Sequence, residues 1–328
     1  MPVPTRRLGR NGPLVPAIGF EKLRVLDRAH EIGATFWDTA DVYSDSEDRI
    51  GEWFKRTGKR ADIFIATKFG ISISATEGPT VRSDPEYVKE ACDKSLSRLG
   101  VNTIDLYYCH RIDTTTPIEK TVQAMADLKK LVTTAHYRKI RYLGLSECSS
   151  ATLRRAHAIH PISAYQIEYN PFCLDIESPD VGILDTCREL GITVVAYSPV
   201  GRGLLTGQIK SPDDLPEKDF RRVTPKYSPE NFPKILSLVD QFKVVAAHHE
   251  VAIAQACLAW LLAQGDDIIP IPGTRTIKYL DQNMEAASLQ LTNDEIKMLR
   301  QAAEGCDLPG DRYPAAMASW LLRDSPAL

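Results

Sequence analysis

Trp37-Asp38-Thr39-Ala40-Asp41-Val42-Tyr43 takes the chain out of an apolar run, through a carboxylate, to a phenol. Two further runs end in the same manner: Phe64-Ile65-Ala66-Thr67-Lys68 and Leu106-Tyr107-Tyr108-Cys109-His110. Each reads as a short strand that delivers an ionisable residue at or near its C-terminal end. The rest of the chain reads as scaffold for the quartet Asp38, Tyr43, Lys68 and His110, or as a seat for whatever reacts with it.

Working outward, strand patterns at 35–40, 63–69, 104–110, 141–146, 164–170, 193–199 and 267–273 alternate with helical patterns. Helices are predicted at 47–56, 84–99, 117–132, 151–158, 182–190, 228–249, 253–264 and 277–286. Ile50, Trp53 and Phe54 share one helical face. Pro85 at a helix start and Gly100 just past its end are the expected punctuation. Thr292 and Glu295 have capping-box spacing. Upstream, Asn11-Gly12 between apolar runs at 5–8 and 14–18 predicts a hairpin, because both residues tolerate positive φ. Residues 15–20 then continue as a first barrel strand, and a helix starts at Glu21 almost without a loop. Eight short apolar strands, each followed by a helix, fit a sheet buried on both faces. Such alternation leaves a closed barrel or a doubly wound sheet. Functional residues at many strand C-termini favour a (β/α)8 TIM barrel, read as one domain over 1–328. Residues 210–227, rich in Asp, Pro and Arg, read as an exposed loop.

The 328 residues suffice for such a barrel, and 43% hydrophobic content supports a sizeable core. A net charge of −3 argues against a nucleic-acid or membrane-surface partner. No apolar run reaches the ~18 residues of a membrane span, and the N-terminus lacks a signal-peptide h-region, so a cytoplasmic location is expected. The seven cysteines include no CxxC pair and read as reduced thiols. His248-His249 lacks metal-ligand spacing and reads as a solvated helix surface, so no metal is expected.

If the quartet meets at the barrel mouth, its chemistry is specific. A phenol titrates near ~10, too high for easy proton transfer at neutrality. A Lys68 ammonium ~4 Å away favours the phenolate by about 4 kcal/mol at an effective dielectric of ~20, before desolvation subtracts from it. Asp38 keeps Lys68 charged and fixed, and His110 orients a carbonyl oxygen. That set suits protonation of an oxyanion as a hydride arrives. Taken singly, each residue has a bland reading: a cap, a solvated lysine, a core tyrosine, a structural histidine. Their origin at three consecutive strand ends gives the quartet its weight.

These segments resemble the catalytic tetrad segments of the aldo-keto reductases. The resemblance continues through Gly144-Leu145-Ser146-Glu147, Gln166-Ile167-Glu168-Tyr169-Asn170, Ala196-Tyr197-Ser198-Pro199-Val200-Gly201-Arg202-Gly203 and Ile271-Pro272-Gly273-Thr274-Arg275. It implies a (β/α)8 barrel with an N-terminal β-hairpin closing its bottom, NADPH as cofactor, and a small-molecule carbonyl substrate. Tyr43 is then the acid, with Lys68 and Asp38 in support and His110 positioning the carbonyl. Ser146, Glu147 and Gln166 are expected at the nicotinamide carboxamide, with Tyr197 stacked beneath the ring. Ser198, Pro199, Val200, Gly201, Arg202 and Gly203 are expected along the pyrophosphate. Gly273, Thr274, Arg275, Lys278, Gln282 and Asn283 are expected around the adenosine and its 2′-phosphate; Arg275 and Lys278 beside a helix N-terminus suit a dianion.

Two departures stand out. The family's Gly-rich segment between first strand and first helix is missing, since Phe20 runs straight into Glu21. Its loss is expected to leave the catalytic face more open. The turn at 132–139 is longer than the family's and falls on the opposite, stability face. The first departure motivates another reading, a repurposed barrel doing non-redox dehydration, isomerisation or cyclisation of a polyketide-like substrate; a further one, an NADPH-sensing binding subunit, is not excluded by the intact tetrad.

Overall fold

The computed structural model describes residues 4–16, 25–74, 78–130 and 138–328. The strands are β1 (Thr5–Arg7), β2 (Leu14–Pro16), β3 (Phe36–Asp38), β4 (Phe64–Phe69), β5 (Ile71–Ser74), β6 (Gly78–Val81), β7 (Ile104–Cys109), β8 (Ile140–Ser146), β9 (Ala164–Glu168), β10 (Thr193–Tyr197) and β11 (Ile268–Pro270). Seven of them form one parallel sheet in the order β11-β10-β9-β8-β7-β4-β3. The helices are α1 (Leu26–Glu31), α2 (Ser46–Thr57), α3 (Pro85–Leu99), α4 (Ile118–Lys130), α5 (Ser150–Ile159), α6 (Ile183–Leu190), α7 (Phe232–His248), α8 (Ile253–Leu262), α9 (Ile277–Glu285), α10 (Asn293–Gly305) and α11 (Ala315–Ala318).

Two apolar layers hold this arrangement. The outer one packs the helices onto the sheet and includes Trp37, Trp53, Phe54, Tyr107 and Trp260. The inner one gathers Phe36, Ala66, Leu106, Tyr108, Ala164, Val195 and Ile269, with Tyr142 packed against them. Those residues come from all seven strands, including both edges. A flat sheet could not bring its edge strands into one cluster, so the sheet curls into the (β/α)8 barrel that the strand pattern predicts. The eighth strand, predicted at 15–20, is only partly described. Val15 and Pro16 pair with Arg6 and Thr5 in the β1–β2 hairpin, and residues 17–20, with the Phe20-Glu21 junction, lie outside the described residues. So does most of the 132–139 turn.

The hairpin closes the N-terminal end of the barrel, as expected. Leu8 and Val15 plug the inner cluster. Gly9 N–H donates to Thr193 Oγ1, and Arg10 N–H donates to the Gly191 carbonyl at 2.8 Å. Arg6 donates to the Ile268 and Leu262 carbonyls at 2.6 and 2.8 Å.

Local signals set the helix ends. Asp84 accepts from Tyr87 N–H ahead of Pro85, and Gly100 ends α3 at φ 62°. Thr292 and Glu295 form the reciprocal capping box. Glu295 also takes both imidazoles of α7, with His248 Nδ1 at 2.7 Å and His249 Nε2 at 3.0 Å. That pair therefore ties α7 to α10 and is more than a solvated surface. Two other sequence readings need correction. An antiparallel β5–β6 hairpin, not anticipated, follows β4. The 210–227 stretch forms short 3-10 turns, and Tyr227 is buried. Its spacing carries no period because each turn is fixed by a local Ser, Asp or Pro. Among the described residues, no single helix is long and apolar enough to cross a membrane.

One glycine decides how the inner layer packs. A Cβ on Gly144 would sit 2.3 Å from the Tyr108 ring. Gly144→Ala is therefore expected to destabilise the barrel by about 1–3 kcal/mol through overpacking, read from the urea midpoint. An unchanged midpoint would mean the Tyr108 ring moves freely.

Candidate active site

Parallel pairing sets the heights of the site residues. Asp38 ends β3 opposite Ala66, and Lys68 stands two residues further along β4, opposite Tyr108. Beyond β3 the chain keeps its grip on β4, with Thr39 N–H on the Ala66 carbonyl at 2.9 Å and Asp41 N–H on the Lys68 carbonyl at 3.0 Å. A tight turn follows, with Ser44 at φ 47°. Tyr43 is thereby presented over the strand ends.

Lys68 and Asp38 are both fully buried and form a direct ion pair, the ammonium donating to Asp38 Oδ1. Lys68 Nζ also donates to the Thr39 carbonyl at 2.7 Å. Gln166 Nε2 donates to the other carboxylate oxygen, Oδ2, at 2.9 Å. Burial pushes the Asp38 carboxyl up, while Lys68 and Gln166 pull it back. Lys68 Nζ lies 5.0 Å from the Tyr43 ring centroid. The Tyr43 and His110 rings meet edge to face at 5.9 Å. All four quartet residues thus come together.

His110 follows β7 and is buried. Burial, the Arg111 guanidinium and the Lys68 ammonium hold it well below the usual histidine range, so its imidazole is neutral. Its Nδ1 has no hydrogen-bond partner among the described residues. Arg111, which the sequence reading missed, donates to the His110 carbonyl at 2.8 Å and to Ser146 Oγ at 3.3 Å. Its only signal was adjacency to His110.

Glu147, just past β8 at φ 52°, is fully buried and committed. Arg312 forks both its oxygens at 3.0 Å, and Tyr197 Oη donates to Oε1 at 2.8 Å. Arg312 and nearby cations hold the Glu147 carboxyl low despite burial. Its oxygens are thus occupied by protein groups. Tyr313 Oη lies 3.2 Å from Tyr197 Oη. No periodicity marks Arg312 and Tyr313, which lie in an irregular C-terminal stretch.

After β10 the backbone turns sharply: Ser198, Gly201, Arg202 and Gly203 all have positive φ, with Pro199 and Val200 between them. Arg202 donates to Glu168 Oε2 at 2.9 Å and lies under the Tyr313 ring at 4.5 Å. Its Nη1 is buried without a partner among the described residues. Past β11, Gly273 is exposed and Thr274 Oγ1 accepts from Thr276 N–H at 3.2 Å. Thr276 caps α9 by accepting from Tyr279 N–H. Arg275 and Lys278 are exposed at this helix start, with no carboxylate partner among the described residues. Gln282 is half-buried and Asn283 buried one turn on. Two free cations at a helix N-terminus fit a phosphate dianion.

A (β/α)8 barrel that gathers a buried Lys–Asp pair, a tyrosine over it and a neutral histidine beside it at its strand ends has the groups of a proton-transfer site. The sequence pattern of the Aldo/keto reductase family matches residues 20–304. Aldo-keto reductase str7 of Strobilurus tenacellus is 54% identical, with 100% of this chain and 99% of that protein covered. Aldo-keto reductase yakc of Schizosaccharomyces pombe, whose name carries NADP(+), is 46% identical over 100% of this chain and 99% of its own length. Among solved structures, the glycerol dehydrogenase AKR11B4 from Gluconobacter oxydans superposes with a TM-score of 0.82 at 25% identity, covering 93% of this chain and 96% of that one. The chain belongs to the aldo/keto reductase family. Its alignment with str7 runs to 349 positions against a chain of 328, so some residues of that relative have no counterpart here.

Lys68→Met should destabilise the fold by about 3–5 kcal/mol by stranding the buried Asp38 carboxyl, and Asp38→Asn added to it should recover most of that loss. Urea midpoints of the single and double variants check this; equal midpoints for wild type and Lys68→Met would refute it. A pH dependence comes from Asp41, whose carboxyl is pushed up to about 7 by burial and by Glu47, with Lys94 and Arg98 opposing. Unfolded, it titrates near ~4. The folded state then holds this proton more tightly, so the Asp41 contribution is present at low pH and is lost as pH rises through about 7. Asp41→Asn should raise the melting temperature relative to wild type at pH 8 and leave it near wild type at pH 4. No gain at pH 8 would refute the shift.

Proposed function

We propose that this chain reduces an aldehyde or ketone to an alcohol with NADPH as hydride donor, the whole of 1–328 working as one domain. The observation that carries the reading is the buried Lys68–Asp38 pair set under the Tyr43 ring, with neutral His110 at that ring's edge. When bound, NADPH supplies a hydride to the carbonyl carbon. This chain supplies everything around that transfer. Neutral His110 donates a hydrogen bond that orients the carbonyl oxygen. Tyr43 Oη gives its proton to the same oxygen as negative charge develops there. The Lys68 ammonium, 5.0 Å from the Tyr43 ring centroid, favours the phenolate left behind. Asp38 and the Thr39 carbonyl hold that ammonium in place, so little reorganisation is needed during reaction.

The residues expected to hold the cofactor fit its parts. Ser146, Gln166 and Tyr197 line one continuous strip of strand ends beside the quartet, suited to the nicotinamide. The positive-φ turn over Ser198, Pro199, Val200, Gly201, Arg202 and Gly203 lets backbone approach a pyrophosphate closely. Gly273, Thr274, Arg275, Lys278, Gln282 and Asn283 offer the adenosine and 2′-phosphate an exposed, doubly cationic helix start. Kinship with a protein named for NADP(+) supports the same choice.

The test is NADPH titration by fluorescence followed by absorbance turnover with a panel of aldehydes. Turnover is expected, and Tyr43→Phe should lower kcat by about 10²–10⁴-fold with NADPH affinity retained. NADPH bound tightly with no oxidation on any aldehyde would overturn the reductase reading. Full activity in Tyr43→Phe would remove the acid role.

A further inference from the structure

Three carboxylates face the C-terminal ends of β8 and β9 or lie beside them: Glu147, Glu168 and Asp175. One arginine from far along the chain reaches all of them. Arg312 forks Glu147, lies 3.8 Å from Glu168 Oε2, and places Nε 3.1 Å from Asp175 Oδ2. Its neighbour Tyr313 reaches Tyr197 Oη, which itself donates to Glu147. A second tie lies further on. Arg323 N–H donates to the Glu147 carbonyl at 3.2 Å, and Ser149 N–H donates to the Arg323 carbonyl at 3.0 Å. The C-terminal segment thus straps the loop after β8 at two points, and Tyr197 is held by its hydroxyl between Glu147 and Tyr313.

A tether of this kind constrains what the Tyr197 ring can do. The ring ends β10 and is half-buried, so its backbone alone leaves χ1 and χ2 free to choose a rotamer. Two hydrogen bonds on the hydroxyl remove that choice. Holding reacting groups in register is worth orders of magnitude in rate when a misplacement of about 1 Å costs ~10²-fold. We propose that Glu147, Arg312 and Tyr313 are positioning residues that fix the Tyr197 ring as the backing of the nicotinamide, making the C-terminal strap part of the active site. This rests on the NADPH reading above. It also reassigns Glu147, which acts through Tyr197 and does not touch the carboxamide.

The strap is separable from simple fold support by removing the charges together. Glu147→Gln with Arg312→Met removes both charges of the fork together, leaving Glu168 with Arg202 and Arg111 with its neutral acceptors. Three quantities are read on wild type and variant: kcat against KM for one aldehyde, the NADPH dissociation constant, and the face selectivity of deuterium transfer from 4-deuterated NADPH. Tyr197→Phe, which keeps the ring and deletes only the tether, is measured in parallel. Both variants are expected to lose about tenfold or more in kcat, with aldehyde KM changed less than ~3-fold and face selectivity measurably eroded. A folded double variant with wild-type kcat and selectivity overturns the proposal and leaves the pair as fold support alone. If the double variant does not fold, Tyr197→Phe decides by the same criteria, with wild-type behaviour overturning the proposal. Wild-type protein that binds no NADPH overturns both this inference and the reading beneath it.

Discussion

The ion pair between Lys68 and Asp38 is the constraint the barrel mouth is built to satisfy. Both side chains are removed from water, and desolvating two charges costs several kcal/mol per ion unless every remaining valence is met. Here it is. The ammonium has the carboxylate and the Thr39 carbonyl, and the carboxylate's second oxygen has Gln166. Those partners come from β3, the loop after it, β4 and β9, so one pair locks strands from across the barrel. The inner apolar layer beneath it includes Tyr108, Ala66, Leu106 and Val195. The low dielectric that makes the pair costly also makes its field strong at Tyr43.

The same logic repeats one step around the ring. Glu147 and Glu168 sit at or just past the ends of β8 and β9, both nearly inaccessible to water. Neither charge is tolerable alone. Arg312 and Arg202 answer them from outside the sheet, Arg202 between the rings of Tyr313, Tyr227 and Phe220. The C-terminal segment is therefore ordered by a charge it neutralises, and Phe220 and Tyr227 of the 210–227 stretch pack on the Arg202 that neutralises the other. Four of the six described non-glycine residues with positive φ, Ser44, Glu147, Ser198 and Arg202, fall in this same zone. Such conformations persist where surrounding contacts over-determine them.

What could be read from the sequence follows from how far each signal reaches along the chain. Asp38, Lys68 and His110 were legible because each ends an apolar strand, and strand order brings consecutive ends together. Trp53, Phe54 and the caps at Asp84 and Thr292 were legible because their partners lie within a few residues. Arg312 was not, since its partner Glu147 is 165 residues away and nothing local marks it. For the same reason the pairing of Arg202 with Glu168 was not foreseen. The 210–227 stretch read as exposed because composition reports polarity; the burial of Tyr227 depends on Arg202 and the C-terminal tail. The hairpin was foreseen from Asn11-Gly12, but its role as a plug rests on contacts with Thr193, Gly191 and Ile268.

A single ammonium also acts on two neighbouring rings in opposite senses. Lys68 lies near Tyr43 and adds to the forces that keep His110 from accepting a proton. A positive charge favours an anion beside it and disfavours another cation, so it pushes the phenol toward giving up its proton and the imidazole toward staying neutral. Swapping those tendencies would require removing the charge, and Asp38 with the Thr39 carbonyl holds the ammonium in place. Arg111 presses His110 in the same direction from the other side. In the proposed reaction, the division of labour between a proton donor and a neutral hydrogen-bond donor is thus set by where one lysine is buried.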